Sequence, residues 1–248
     1  MRVLLATLVL GACSFSNYQS ARMLPRGGTN LTAAFTSYDY HEDGESPGEG
    51  AIEIMGSHGV SETVELGGKV SWFSPEGDDF FNLFVVPKMS LMPNKLAVSV
   101  PTGLLISGAD DSETIWVTAP TLIFTQELHR NVDLDIAGKP YITIANDFDD
   151  AAMAFAFNLG VRLRIPDTAF SFMPEIGFMF DDDEPEGTDG GYYMQIGFGF
   201  SYDFLPASAA LASQPIAPQP MGPPPPPPPP MAPMPPPPPP PEPAPATP

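Results

Sequence analysis

Residues 153–165 read MAFAFNLGVRLRI, and their alternation is unbroken. Met153, Phe155, Phe157, Leu159, Val161, Leu163 and Ile165 share one face, while Ala154, Ala156, Asn158, Gly160, Arg162 and Arg164 share the other. A side-chain period of two is that of a β-strand. Soluble strands commonly run to about five or six residues, whereas a tilted strand crossing a bilayer needs about 9–11. Length and faces together predict a strand with lipid on one side and a polar interior on the other.

The pattern recurs along the chain. In 192–204, Tyr192, Met194, Ile196, Phe198, Phe200, Tyr202 and Phe204 oppose Tyr193, Gln195, Gly197, Gly199, Ser201 and Asp203. In 60–72, Val60, Val64, Leu66, Val70 and Trp72 oppose Thr63, Glu65, Lys69 and Ser71. In 132–144, Val132, Leu134, Ile136, Ile142 and Ile144 oppose Asp133, Asp135 and Lys139. Ten segments qualify, at about 29–40, 50–57, 62–73, 80–91, 95–107, 113–126, 131–145, 151–165, 168–180 and 190–204. Segment 113–126 alternates least, with Trp116, Leu122 and Phe124 opposite Ile115, Val117 and Ile123.

The connections alternate as well. Four are tight: GSHGV (56–60), MPN (92–94), ELHR (127–130) and IPD (165–167). Five are acidic and free of Lys and Arg: 41–50, 74–79, 108–113, 146–150 and 181–190. Short turns on one rim and longer loops on the other predict an all-β, closed, antiparallel, up-and-down transmembrane barrel over residues 29–204, with the short turns periplasmic. An even strand count puts both chain ends on the short-turn side. Aromatic residues at strand ends, namely Tyr38, Tyr40, Trp72, Phe73, Phe80, Trp116, Tyr192, Tyr202 and Phe204, predict interfacial girdles. Pro87, Pro101, Pro120, Pro140 and Pro174 fall inside five of the strands, and each removes a ladder donor. Bulges or lumen-facing, water-satisfied carbonyls are expected there, and eight or twelve strands remain alternative counts. A soluble β-sandwich lipoprotein binding a partner is the competing architecture.

The formal net charge is −20, which argues against a nucleic-acid partner, since phosphate binding needs a basic face. Nineteen of the thirty acidic residues lie in the five acidic connections, predicting acidic extracellular loops. The densest cluster, Asp181, Asp182, Asp183, Glu184, Glu186 and Asp189, could hold a weakly bound divalent cation, although a solvated loop is the simpler reading. On the inward faces fall Glu53, Glu65, Asp133, Asp135, Glu175 and Asp203, and with them Lys69, Lys88, Lys139, Arg162 and Arg164. Six acids against five bases predict a salt-bridged plug in a narrow lumen. A polar diffusion pore for small solutes is the alternative. His41, His58 and His129 lie in or beside connections without metal-ligand spacing, and no nucleophile, P-loop or zinc-protease motif occurs. No metal, cofactor or catalytic residue is expected.

Met1 and Arg2 followed by the apolar run Val3–Leu10 form a secretion signal over residues 1–12. The run Leu10-Gly11-Ala12-Cys13 resembles the bacterial lipobox, which implies acylation of Cys13, the only cysteine of the chain. Two or more acyl chains would give stable anchoring. Ser14 in place of Asp implies outer-membrane sorting under the same resemblance. Residues 13–28 read as the linker between anchor and barrel. Within the last strand, Gln195-Ile196-Gly197-Phe198-Gly199-Phe200-Ser201-Tyr202 resembles the assembly signal of bacterial outer-membrane barrels, although here a tail follows it. The stretch GVSETVELGGKVSW (59–72) resembles barrel strands generally. The partners implied are outer-membrane lipid and the barrel-assembly and lipoprotein-sorting machineries.

From Leu205 to Pro248 the composition changes, with eight prolines at 223–230 and seven at 235–241. Such a run predicts a disordered, extended polyproline tail, on the order of 130 Å long at full stretch. It serves as a periplasmic spacer or as the ligand of a polyproline-reading periplasmic partner.

Overall fold

The computed structural model describes residues 15–41, 49–73, 80–107, 114–144, 151–181 and 192–204. Twelve strands form one antiparallel sheet: β1 (Thr29–His41), β2 (Glu49–Gly59), β3 (Val64–Phe73), β4 (Phe80–Met92), β5 (Leu96–Ser99), β6 (Thr102–Ser107), β7 (Thr114–Thr118), β8 (Thr121–His129), β9 (Val132–Ile144), β10 (Ala151–Arg164), β11 (Phe170–Asp181) and β12 (Tyr192–Phe204). Strands β5 and β6 continue one another along β4, and β7 and β8 do so along β9. The ring therefore has ten barrel strands. It closes where β1 pairs with β12, from Thr29 opposite Phe204 to His41 opposite Tyr192. A sandwich is excluded, because this sheet closes on itself.

The faces follow the alternation. Along β10, Phe155 is 52% exposed while Ala154 and Ala156 are buried. Along β12, Phe198 and Phe200 look outward, whereas Gln195 and Ser201 are buried. In a water-soluble protein a continuous outer wall of Phe, Leu, Ile and Val would be a large exposed apolar patch. Segment 113–126 obeys the same parity across its break: Ile115, Val117 and Ile123 point inward, and Trp116, Leu122 and Phe124 outward. Its weak signal has a local cause, since the inner face is apolar there. Three residues expected in the girdles are also inside: Tyr38, Phe73 and Phe80 are at most 7% exposed. They join Phe84, Leu105, Tyr141 and Met179 in an apolar layer beneath the long-loop rim. Trp72, Trp116 and Phe204 do face out.

The prolines cluster. By the register of the flanking pairs, Pro87 stands across from Val100, Val100 from Pro120, and Pro120 from Pro140. Three of the five lost donors thus share one row, marked by the breaks between β5 and β6 and between β7 and β8, with Pro101 one residue off it, while Pro174 stands apart on β11, opposite Phe198. Pro87 O accepts from Val100 N at 3.0 Å, and Pro101 O from Ala119 N at 2.9 Å. The register shifts lie elsewhere, at Ser90/Met92 and Glu127/His129 near the tight turns, so the bulges expected at the prolines are not where the sequence suggested. In two of those turns Asn94 (φ 57°) and Asp167 (φ 60°) adopt the left-handed conformation, which Asn and Asp tolerate best after glycine.

Candidate functional site: a lumen filled by the N-terminal segment

Gly27 and Gly28 turn the chain into the barrel at the short-turn rim. Gly27 has a positive φ of 79°, and its N–H donates to Gly59 O at 2.8 Å. A β-carbon on Gly59 would collide with Pro25 O, so the turn between β2 and β3 needs glycine there. From this mouth, residues 24 back to 15 climb the lumen towards the long-loop rim.

Each step is held by wall side chains. Leu24 N donates to Glu65, on the second residue of β3. Arg22 forms a two-pronged pair with Asp133, Nε to Oδ2 and Nη2 to Oδ1 both at 2.8 Å, and reaches Glu127 at 2.6 Å. Arg164 binds Asp133 as well. Lys88, paired with Glu65 at 2.8 Å, donates to Ser20 O (3.2 Å) and Arg22 O (3.1 Å). Ala21 N donates to Thr125 Oγ1 at 2.7 Å, and that hydroxyl donates to Asp135.

Halfway up, the Glu175 carboxylate accepts the backbone N–H groups of Asn17 (2.7 Å) and Tyr18 (2.8 Å), with Asn158 Nδ2 at 3.0 Å and Gln195 Nε2 at 2.9 Å. Arg162 Nη2 donates to Tyr18 O at 3.2 Å, while its Nε lies 3.8 Å from Asp135. Tyr18 has a φ of 40°, a conformation that costs a non-glycine residue about 1–3 kcal/mol and persists only where surroundings hold it. Here they do: its ring lies against the bare faces of Gly197 and Gly199.

Higher still, the Ser16 hydroxyl lies 2.6 Å from each oxygen of Glu53. Glu53 pairs with Lys69 at 2.5 Å and accepts from Thr36 at 2.9 Å, while Lys139 donates to Ser16 O at 3.1 Å. Phe15 ends the described segment, fully buried in the apolar layer with its ring centroid 5.6 Å from that of Tyr38.

All eleven residues expected to face the lumen point inward. Glu53, Glu65, Lys69, Lys88, Asp133, Asp135, Lys139 and Glu175 are buried, Arg162 and Arg164 are half-buried, and Asp203 takes Asn30 Nδ2 at 2.7 Å near the mouth. The arrangement has a simple chemical logic. Wall acids accept N–H groups of the threaded segment, and wall bases donate to its carbonyls. Buried polar groups demand partners, and each set supplies many of the other's, although Asp135 Oδ2 and Arg162 Nε, 3.8 Å apart, form no hydrogen bond. The sequence predicts a linker over residues 13–28, whereas residues 15–24 lie along the inside of the lumen wall. The available hint was the inward Gly197 and Gly199, which leave room for a ring that no wall strand supplies.

A cavity of about 210 Å³ opens at the short-turn mouth, bordered by Arg22, Lys88, Arg162, Arg164, Glu65 and Asp203. No cluster of three or more His, Cys, Asp or Glu side chains is placed to bind a metal among the described residues. His58 and His129 lie at the short-turn rim, with His58 Nδ1 3.0 Å from Thr29 Oγ1. Cys13, the acidic cluster Asp182–Asp189, the signal and the proline tail lie outside the described residues, as does the side chain of Asp181.

No family profile matches the chain, and no curated protein matches it in sequence. Among solved structures, an outer membrane channel from Pseudomonas putida F1 is similar at 11% identity and a TM-score of 0.48, over 76% of this chain and 100% of that one. Neisserial surface protein A is similar at 7% identity and 0.37, over 72% and 100%. The outer membrane protease OmpT from Escherichia coli is similar at 9% and 0.39, over 75% and 100%.

Proposed function

We propose that the protein is an outer-membrane barrel lipoprotein with a structural role at the cell surface, its lumen sealed by its own N-terminal segment. The supporting observation is the interlocking of wall and segment, with Glu175, Lys88 and Lys139 engaged on backbone groups of residues 16–22 and Glu53 on the Ser16 hydroxyl. An apolar exterior over eight unbroken strands of 10–14 residues and two split ones suits a bilayer. In this reading Cys13 carries the lipid, the acidic connections face outward, and the proline tail extends into the periplasm towards a polyproline-reading partner. Assembly and sorting machineries act on it during biogenesis, and divalent cations bind the loop 181–190 only weakly. No reaction is assigned to it.

The mouth cavity favours a second reading, a small diffusion channel. The segment is held by hydrogen bonds and ion pairs, so its displacement would leave a charged, water-accessible path.

Protease treatment of intact cells, with one tag inside loop 182–190 and another after Pro248, tests the placement. Cleavage of the first and protection of the second is expected, and the reverse would refute the orientation. On a detergent gel, the unboiled protein should migrate differently from the boiled one, as closed barrels do.

A further inference from the structure

We propose that the chain is threaded through its own barrel, so that whatever precedes Phe15 leaves at the long-loop mouth, on the opposite side of the membrane from Thr29 and Phe204. This deepens the membrane-barrel reading above and rests on it.

The order of contacts carries the inference. Leu24 meets Glu65 and Arg22 meets Asp133, each the second residue of a strand that starts at a short turn. Ala21 meets Thr125, Tyr18 meets Thr36, Ser16 meets Glu53, and Phe15 meets Tyr38. Thr36 and Tyr38 are the eighth and tenth residues of β1 counted from the short-turn rim. At about 3.3 Å per residue along a strand, Tyr38 stands some 30 Å from Thr29, measured along β1. Around Phe15, Phe73 and Phe80 are the long-loop ends of β3 and β4, stacked at 5.1 Å. From Leu24 to Phe15 the contacts pass from the short-turn rim to the long-loop rim.

Chain geometry then limits Cys13. Two residues reach at most about 7 Å, so Cys13 stays near the long-loop end of the lumen while Phe15 holds its place. Acyl chains on that residue cannot occupy a charged lumen. They would lie in the leaflet next to the long loops, the outer one in the orientation proposed above. The even strand count thus places the start and end of the barrel on one side, but not the start of the mature chain.

Cys13 is the only cysteine, which gives the test its handle. The leader is replaced by a cleavable one that leaves the thiol free, and intact cells receive a membrane-impermeant maleimide polymer. Asp111→Cys in an acidic loop and Thr63→Cys at a short turn, each in a Cys13→Ser chain, are the references. Threading predicts that Cys13 reacts on intact cells to the extent of D111C, while T63C reacts only once cells are opened. Reaction of Cys13 only with T63C overturns it. If D111C itself needs opened cells, the orientation is wrong, and agreement of Cys13 with D111C still supports threading.

Spin labels in purified protein decide the case of an unreactive thiol. Cys13 should lie farther from T63C than from D111C by roughly the 25 Å of an apolar belt. The opposite order would end the proposal.

Discussion

The phenol oxygen of Tyr18 lies 2.9 Å from Thr36 Oγ1 on the first barrel strand, while its ring rests on the last strand, where a β-carbon at Gly199 would stand 3.0 Å from Tyr18 Cδ1. One side chain of the threaded segment therefore bridges the seam at which the barrel closes. It touches both strands of that seam, Thr36 on β1 and Gly199 on β12.

Gly197→Val follows directly from that contact. Any β-carbon at 197 collides with the Tyr18 hydroxyl, and overpacking commonly costs about 1–3 kcal/mol. The folded, heat-modifiable fraction should fall, and trypsin should cut at Arg22 as readily as at the exposed Arg26. Adding Tyr18→Ala should recover only part of the loss, because the β-carbon also meets Phe35 O at 2.7 Å and Thr36 Oγ1 at 2.9 Å, and protease resistance should not return; a double-mutant cycle measures the coupling.

Glu175→Ala leaves the N–H groups of Asn17 and Tyr18 without acceptors. Each buried orphan costs about 1–3 kcal/mol. Hydrogen exchange should accelerate at those two amides first, while amides paired between β10 and β9 stay protected. Uniform acceleration across the barrel would contradict a local role.

The pair Glu53–Lys69 is buried and also bonded to Ser16. Lys69→Met alone should destabilise by about 3–5 kcal/mol, because an unpaired carboxylate remains, whereas Glu53→Leu with Lys69→Met should recover most of the loss. Thermal midpoints in detergent distinguish the two.

The wall was legible because its two faces meet different media. Phe155 against Ala156, or Phe198 against Gln195, carries period two in plain view, and the inward charges followed from parity alone. Inward placement of Tyr38, Phe73 and Phe80 was not legible, because an aromatic residue near a strand end serves equally well in a girdle or beneath a rim. Segment 113–126 blurred for the same reason, with apolar side chains on both faces. The threaded segment has no period at all. Ser16, Asn17 and Ser20 are small polar residues held by backbone groups that every sequence shares, so only their surroundings reveal them. The lumen glycines 197 and 199 were visible, but nothing in the strand itself told what they accommodate.

Electrical recording in planar bilayers tests the sealed lumen most directly. The intact protein should show no steady unitary current, and a variant with residues 15–24 deleted, which removes the backbone as well as the side-chain anchors, should open stably. Equal steady currents from both proteins would contradict the account, since the segment would then not be what closes the barrel.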